Sequence, residues 1–377
     1  MTDRIDRRAL NRATLARQLL LERSDATPID AVTHLVGLQA QAPWAPYHQL
    51  AARLDGFVPD DLGRLLVERR VVRMAVMRGT IHLMTVPDAA ALRPLVQPVL
   101  DRGLTSNKER REALEGADLD AIAAAGAVVL DGEVLAPDDL GTRLAEQFPG
   151  IGPSALATVV RNRVPIVQTP PRGVWGRTGA PTVTRFDSWV AGGTPPVPPE
   201  DLPGPMPLDE VVRRYLAAFG PASVKDVQTW SGLTRLASIV AAMADELVAF
   251  EDEDGVVLHD LPDAPRPGAD VDAPVRLLGE FDNLILSHAD RRRVIPEEHR
   301  SRLATLNGMQ PATVLVDGTV AGTWRIERAT RRATVEVELW APRPSKATRA
   351  GIEREGARLL DLVAPDATGR DVRIMTP

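Results

Sequence analysis

The sequence predicts an α+β protein in which units of three helices and a hairpin are followed by a β-rich C-terminal segment and a closing helix. Three observations predict it. Residues 207–259 read as three helices and an apolar hairpin. The same order can be drawn over two earlier stretches. Past residue 273 the apolar period shortens to two. Three helices with a hairpin make the winged-helix plan, a variant of helix-turn-helix.

The stretch between two proline-rich linkers, 191–199 and 261–273, is the clearest. Leu208, Val211, Val212 and Tyr215 place one apolar face on a helix over 207–218, which Gly220-Pro221 breaks. Ser223 is expected to cap a second helix through Trp230, and Thr234 a third through Leu247. Apolar runs at 247–250 and 256–259 flank Asp254-Gly255, a hairpin signal. In the first unit, helices are expected over 13–21, 28–38, 46–54 and 59–68, with strands at 71–74 and 79–84. In the second, helices over 118–129, 137–147 and 154–161 precede a wing made from 164–169 and 173–176. The pentapeptide Pro-Asp-Asp-Leu-Gly occurs at Pro59 and Pro137, where proline and acid suit a helix start. In the C-terminal segment strands are expected over 275–286, 312–316, 320–326 and 333–339, with Asp317-Gly318 as a tight turn and a closing helix over 346–362. The expected units are therefore 1–100, 101–190, 200–262 and 274–377.

A chain of 377 residues is long enough for several cores. It has no cysteine, which excludes disulfides, thiolate metal sites and cysteine nucleophiles. Its six histidines show no metal-ligand spacing, so neither a metal nor a cofactor is expected. No apolar run is long enough to span a bilayer, and the N-terminus carries no signal-like apolar region; no membrane partner and a cytoplasmic location are expected. The net charge of −6 does not announce a nucleic-acid partner. The charge is uneven, however: acid clusters at 251–254 and arginine at 69–70, 291–293 and 331–332, which leaves room for a local basic cleft.

At the end of the second expected helix the chain reads Leu38-Gln39-Ala40-Gln41-Ala42-Pro43-Trp44-Ala45-Pro46-Tyr47. By spacing alone these are two polar residues at a helix end. The segment resembles the Gln-apolar-Gln motif of the AlkZ-type (AlkZ/YcaQ-like) winged-helix DNA glycosylases. Three further segments resemble that family in the same order: Arg78-Gly79-Thr80-Ile81-His82, then Phe281-Asp282 to Ser287-His288-Ala289-Asp290-Arg291, then 316–324. The resemblance implies tandem winged-helix units around a DNA-binding cleft. It implies hydrolysis of the N-glycosidic bond of N7-alkylated purines, interstrand crosslinks and bulky natural-product adducts included. The partner it implies is double-stranded DNA carrying such purines, gripped by a monomer. One branch of the family has an aspartate in place of the second glutamine; Gln41 places this chain in the other.

The chemistry is compatible with that. N-glycosidic hydrolysis passes through an oxocarbenium-like sugar. A base alkylated at N7 is already cationic and leaves without a proton donor. What remains is to hold water against the sugar and to favour a cationic transition state, which carboxamides can do by position and dipole. Gln39 and Gln41 are accordingly the candidate catalytic residues, with the nearer of the two to the water left open. Candidate DNA contacts are Arg78, His82, His288, Arg291, Arg292, Arg293 and Arg325, with the Asp317-Gly318 turn as a minor-groove element and Trp44 as a stacking surface. Each also has a purely structural reading: core histidines, an Asp–Arg turn, a solvated charge run, a sheet hairpin. The alternative function is a winged-helix transcription regulator without catalysis.

Overall fold

In the computed structural model, which describes residues 3–303 and 308–377, three sheets of three, five and five strands carry the surrounding helices. The chain enters through β1 (Asp3–Arg4) and α1 (Arg7–Arg17), where the Asp6 carboxylate accepts from the Ala9 amide as a cap. After α2 (Pro28–His34), Val36 and Gly37 turn the chain with φ of 54° and 87° into β2 (Leu38–Gln39). Then come α3 (Ala45–Arg53), α4 (Pro59–Val67), β3 (Val71–Ala75), β4 (Ile81–Thr85), α5 (Val86–Leu92) and α6 (Gln97–Thr105). Every residue of β3 and β4 is buried, because α2, α4 and α5 cover the sheet.

The next stretch holds α7 (Lys108–Ala113), α8 (Leu119–Val129), α9 (Pro137–Ala145), α10 (Pro153–Arg163), β5 (Ile166–Gln168), β6 (Val183–Arg185) and α11 (Phe186–Ala191). Leu140, Leu144, Leu156 and Val160 build a separate core here. Its helices approach closely through glycine: a Cβ on Gly141 would lie 2.2 Å from the Pro153 carbonyl oxygen. The expected wing is not formed as read. β5 pairs with β6 and with β3, so the five-stranded sheet runs β2-β4-β3-β5-β6. Residues 173–176 form a loop instead of a strand. Tyr47 Oη pins it by donating to the Gly173 carbonyl (2.8 Å) and accepting from the Trp175 amide (3.1 Å).

Three helices and a hairpin follow as expected: α12 (Leu208–Phe219), α13 (Val224–Ser231), α14 (Ala237–Ala242), β7 (Val248–Glu251) and β8 (Val257–Asp260). Ser223 and Asp226 form a reciprocal capping box on α13. Thr234 does not cap α14. Arg235 adopts φ of 64° and delays the helix to Ala237, and Gln228 Oε1 accepts from the Leu236 amide (3.0 Å) in place of a local cap. β1 adds to the outer edge of this hairpin in parallel.

The C-terminal segment contains β9 (Arg276–Leu278), α15 (Asn283–Leu286), β10 (Thr313–Val316), β11 (Thr319–Ala329), β12 (Arg332–Leu339), α16 (Lys346–Val363) and β13 (Gly369–Met375). The strand expected over 275–286 stops at Leu278. Phe281 turns with φ of 55° and Asp282 caps the short α15 through the Leu284 amide. The final strand, β13, pairs in parallel with β12 and was not among the strands expected. Two buried ion pairs tie the segments together. Arg53 meets Asp282 through two contacts of 2.7 Å, both side chains fully buried. Arg17 meets Asp260 at 2.5 and 2.8 Å.

Candidate active site

Gln39 sits on β2 because the Val36-Gly37 turn delivers the chain against β4. A Cβ on Gly37 would fall 2.8 Å from Met84 Cγ, so only glycine fits. In the antiparallel register Gln39 lies opposite His82, and His82 opposite Met74, which puts the three on one face of the sheet. Gln41 lies two residues on, in a bend just past the strand, and its carboxamide oxygen, like that of Gln39, is held from the 78–81 segment. Gln39 is 4% exposed, whereas Gln41 is exposed.

Five contacts fix this short segment. Asn283 Nδ2 donates to the Gly37 carbonyl (2.7 Å). Gln49 Nε2 donates to the Gln39 carbonyl (3.0 Å). Arg73 Nη2 donates to the Ala40 carbonyl (2.8 Å). Arg78 Nη2 donates to Gln39 Oε1 (2.7 Å), and the Ile81 amide to Gln41 Oε1 (2.9 Å). Each glutamine therefore has one lone pair engaged, leaving its amide NH₂ and a second lone pair for a ligand. Asn283 reaches Gly37 across 246 positions. With Gln49 and Arg73 it forms a supporting set that reading along the sequence missed. Arg73 alone left a local signal, a charge inside an otherwise apolar strand.

His82 is buried. Its Nδ1 lies 3.0 Å from the Thr80 carbonyl, and its Nε2, among the described residues, has no partner. Burial, then the neighbouring Arg78, pushes its pKa down to about 3, so it is neutral at physiological pH. Burial, then Arg291, lowers the Arg78 guanidinium to about 10, which still leaves it charged. Burial, then Arg172, does the same to Arg73. Beside the motif, Trp44, Tyr47 and His48 gather around Trp175: Trp44 meets it edge-on at 5.3 Å and Tyr47 lies 4.8 Å away. A cavity of about 470 Å³ opens there, between Trp44, Trp175, Thr178, Ile326 and Arg328.

The other expected DNA contacts separate into two groups. Arg291 is exposed, and among the described residues no carboxylate pairs with it. The rest are engaged. His288 is 1% exposed, with Nε2 3.0 Å from the Phe219 carbonyl. Arg293 is buried and donates to Thr14 Oγ1 and the Pro221 carbonyl. Arg292 is held by Asp290 and Asp254. Arg325 is held by Glu336. Arg78 turns inward, onto Gln39 Oε1 and the Trp230 carbonyl. The Asp317-Gly318 turn is not a free groove-reading element. Arg8 and Arg12 clasp Asp317, and a Cβ on Gly318 would lie 2.4 Å from Asn11 Oδ1. The turn is docked on α1. The 278–293 segment is likewise a brace, joining α3 through Asp282 to α12 and α13 through Ser287 and Ala289.

The frame is a mixed helix-and-sheet fold in which the Gln39-Ala40-Gln41 segment is anchored by Arg73, Arg78 and the Ile81 amide. The family model for AlkZ-like DNA glycosylases matches residues 32–362, and the chain belongs to that family. It is 28% identical over 337 residues to the interstrand DNA cross-link repair glycosylase of Streptomyces sahachiroi, covering 83% of this chain and 85% of that protein. The solved structure of the Streptomyces sahachiroi DNA glycosylase AlkZ is similar with a TM-score of 0.78 at 24% identity, over 99% of this chain and all of that one. That likeness shows the shared mixed α/β fold. The enzyme is a DNA glycosylase and not a regulator that only binds.

Proposed function

We propose that this enzyme hydrolyses the N-glycosidic bond of N7-alkylated purines in duplex DNA, including crosslinked and bulky adducts, without metal or cofactor. The observation that carries the reading is the pair of carboxamides at Gln39 and Gln41, each anchored through its oxygen by the 78–81 segment. A cationic base needs no acid to depart. The free amide and second lone pair of each glutamine hold the attacking water against the sugar. Their fixed dipoles act when positive charge develops on the sugar ring, at no reorganisation cost. Gln39, being buried and gripped by a guanidinium, is the closer partner of the water. Arg291, exposed and without a carboxylate partner among the described residues, supplies local positive charge for a phosphate backbone on an acidic chain. The Trp44–Trp175 cavity offers a flat apolar wall to a bulky adduct.

The likeness to the cross-link repair glycosylase supports the crosslink part of the reading. Three helices and a hairpin over 208–260 support a winged-helix unit at 200–262; the reading sets it with the units at 1–100 and 101–190, which share one five-stranded sheet, around a cleft, with 274–377 bracing them. The enzyme acts as a cytoplasmic monomer; among the described residues no helix is long and apolar enough to cross a membrane. The test is release of free base from duplex oligonucleotides carrying N7-methylguanine or a nitrogen-mustard crosslink. Gln39→Ala is expected to slow release by about 10²–10³-fold, the scale of losing one preorganised donor, and Gln41→Ala by less. Full rates in both variants would remove the glutamines from the mechanism.

A further inference from the structure

We propose that Arg78 is a positioning residue for base excision, acting through Gln39 and not through DNA. The inference rests on the catalytic reading of Gln39 above. Arg78 lies in the three-residue turn between β3 and β4 with φ of 55°, a left-handed conformation that a non-glycine residue rarely holds. That backbone is kept because the side chain is held at both ends of its fork. Nη1 donates to the Trp230 carbonyl at 2.5 Å and Nη2 to Gln39 Oε1 at 2.7 Å. Among the described residues no carboxylate pairs with it.

The Trp230 carbonyl belongs to the last turn of α13, whose terminal carbonyls have no partner within the helix and carry its negative dipole end. A second arginine, Arg102, donates to the Gly232 carbonyl at 3.0 Å beyond the same end. Gly232 lets that end approach: it adopts φ of 80°, and a Cβ there would lie 3.1 Å from Val99 and 3.5 Å from the Arg78 amide. The α13 terminus is thus a fixed post. Arg78 spans from it to the catalytic carboxamide.

The consequence for Gln39 is orientation. Only a carbonyl oxygen can face a guanidinium; turning the amide over would set its N–H₂ against the cation. Arg78 therefore selects one of the two amide orientations. It fixes the directions of Nε2 and of the second Oε1 lone pair, and that lone pair is the acceptor for a hydrogen bond from the attacking water.

A thermodynamic cycle tests this. Single-turnover release of N7-methylguanine from duplex oligonucleotide is measured at saturating enzyme for wild type, Arg78→Met, Gln39→Ala and the double variant, with the dissociation constant for the same duplex. Arg78→Met is expected to slow release by about 10–100-fold, the cost of a misplaced reacting group, while affinity stays within twofold. In the Gln39→Ala background the same change is expected to cost under threefold. Arg78→Lys, which keeps charge but not the fork, should recover part of the rate and serves if Arg78→Met folds poorly. Multiplicative losses in the double variant, or a loss confined to DNA affinity, overturn the positioning role while leaving the glutamine mechanism intact. A fast Gln39→Ala enzyme overturns both.

Discussion

Arginine does two different jobs in this molecule, and the contrast between two regions shows what separates them. Around the motif, Arg73 and Arg78 reach carbonyl oxygens and a carboxamide, and among the described residues neither meets a carboxylate. In the brace and its surroundings the pattern is reversed. Arg53 is locked on Asp282, Arg17 on Asp260, Arg292 on Asp290 and Asp254, and Arg293 lies 3.9 Å from Asp226. The first group holds positive charge beside the Gln39-Ala40-Gln41 segment, where the proposed reading places the substrate. The second holds the units together and adds little to the field outside. Pairing, not the number of arginines, decides which segments are basic in the sense that matters for DNA.

The largest effect that would break this comparison is on stability. Arg53→Met leaves Asp282 buried without its counter-charge and is expected to cost about 3–5 kcal/mol in urea unfolding. Arg73→Met removes a buried cation whose Nε and Nη1 have no partner, at the price of one hydrogen bond to Ala40; it is expected to cost only about 1–2 kcal/mol while lowering base release. Equal losses of stability in the two variants would erase the distinction between the paired and the unpaired arginines.

A smaller effect concerns two buried histidines, one in each region. His82 and His288 are both held at about 3, chiefly by burial, against an ordinary value of 6.5. Both are neutral when folded and take up a proton when unfolded below that ordinary value. Their contribution is therefore complete above pH 6.5 and is lost as pH falls from there towards 3. Each steepens the loss by up to about 1.4 kcal/mol per pH unit. Unfolding free energies measured between pH 7.5 and 5 should fall with acid, and His82→Gln should make the decline shallower. An unchanged slope in that variant would mean His82 is solvated in the folded enzyme.

How much of this the sequence reveals depends on range. The turns at Asp254-Gly255 and Asp317-Gly318, the cap at Ser223 and the helix start at Pro137 are legible because their chemistry is local. The short α15 was misread as strand because Leu284, Ile285 and Leu286 are apolar in either structure; the deciding features are the Phe281 dihedral and the Asp282 cap. Gln39 and Gln41 stood out only by resemblance, since nothing in their spacing sets them apart from a polar helix end. What makes them special is supplied from Gln49, Arg73, Arg78 and Asn283, 10 to 246 positions away. The same limit explains why His288 and Arg293 looked like surface contacts: their partners, Phe219, Thr14 and Pro221, lie 69 to 279 positions away.

The sharpest form of the comparison sits in two adjacent residues. Arg291 and Arg292 are indistinguishable by type and both are exposed, yet Arg292 carries Asp290 and Asp254 while Arg291 has no carboxylate among the described residues. A cation that meets a phosphate releases a condensed counterion, so each such contact adds about 0.9 to the slope of log affinity against log salt. Arg292 begins neutralised. For it to bind phosphate it must first give up two carboxylates, and the exchange releases little. Arg291→Gln is therefore expected to reduce the slope by about 1, and Arg292→Gln, with Arg325→Gln as a second paired control, to leave it unchanged. The measurement is duplex affinity between 50 and 200 mM salt. A reduced slope in Arg292→Gln would mean that the Asp290 and Asp254 pairs open on DNA, and the paired arginines would then belong to the binding surface after all.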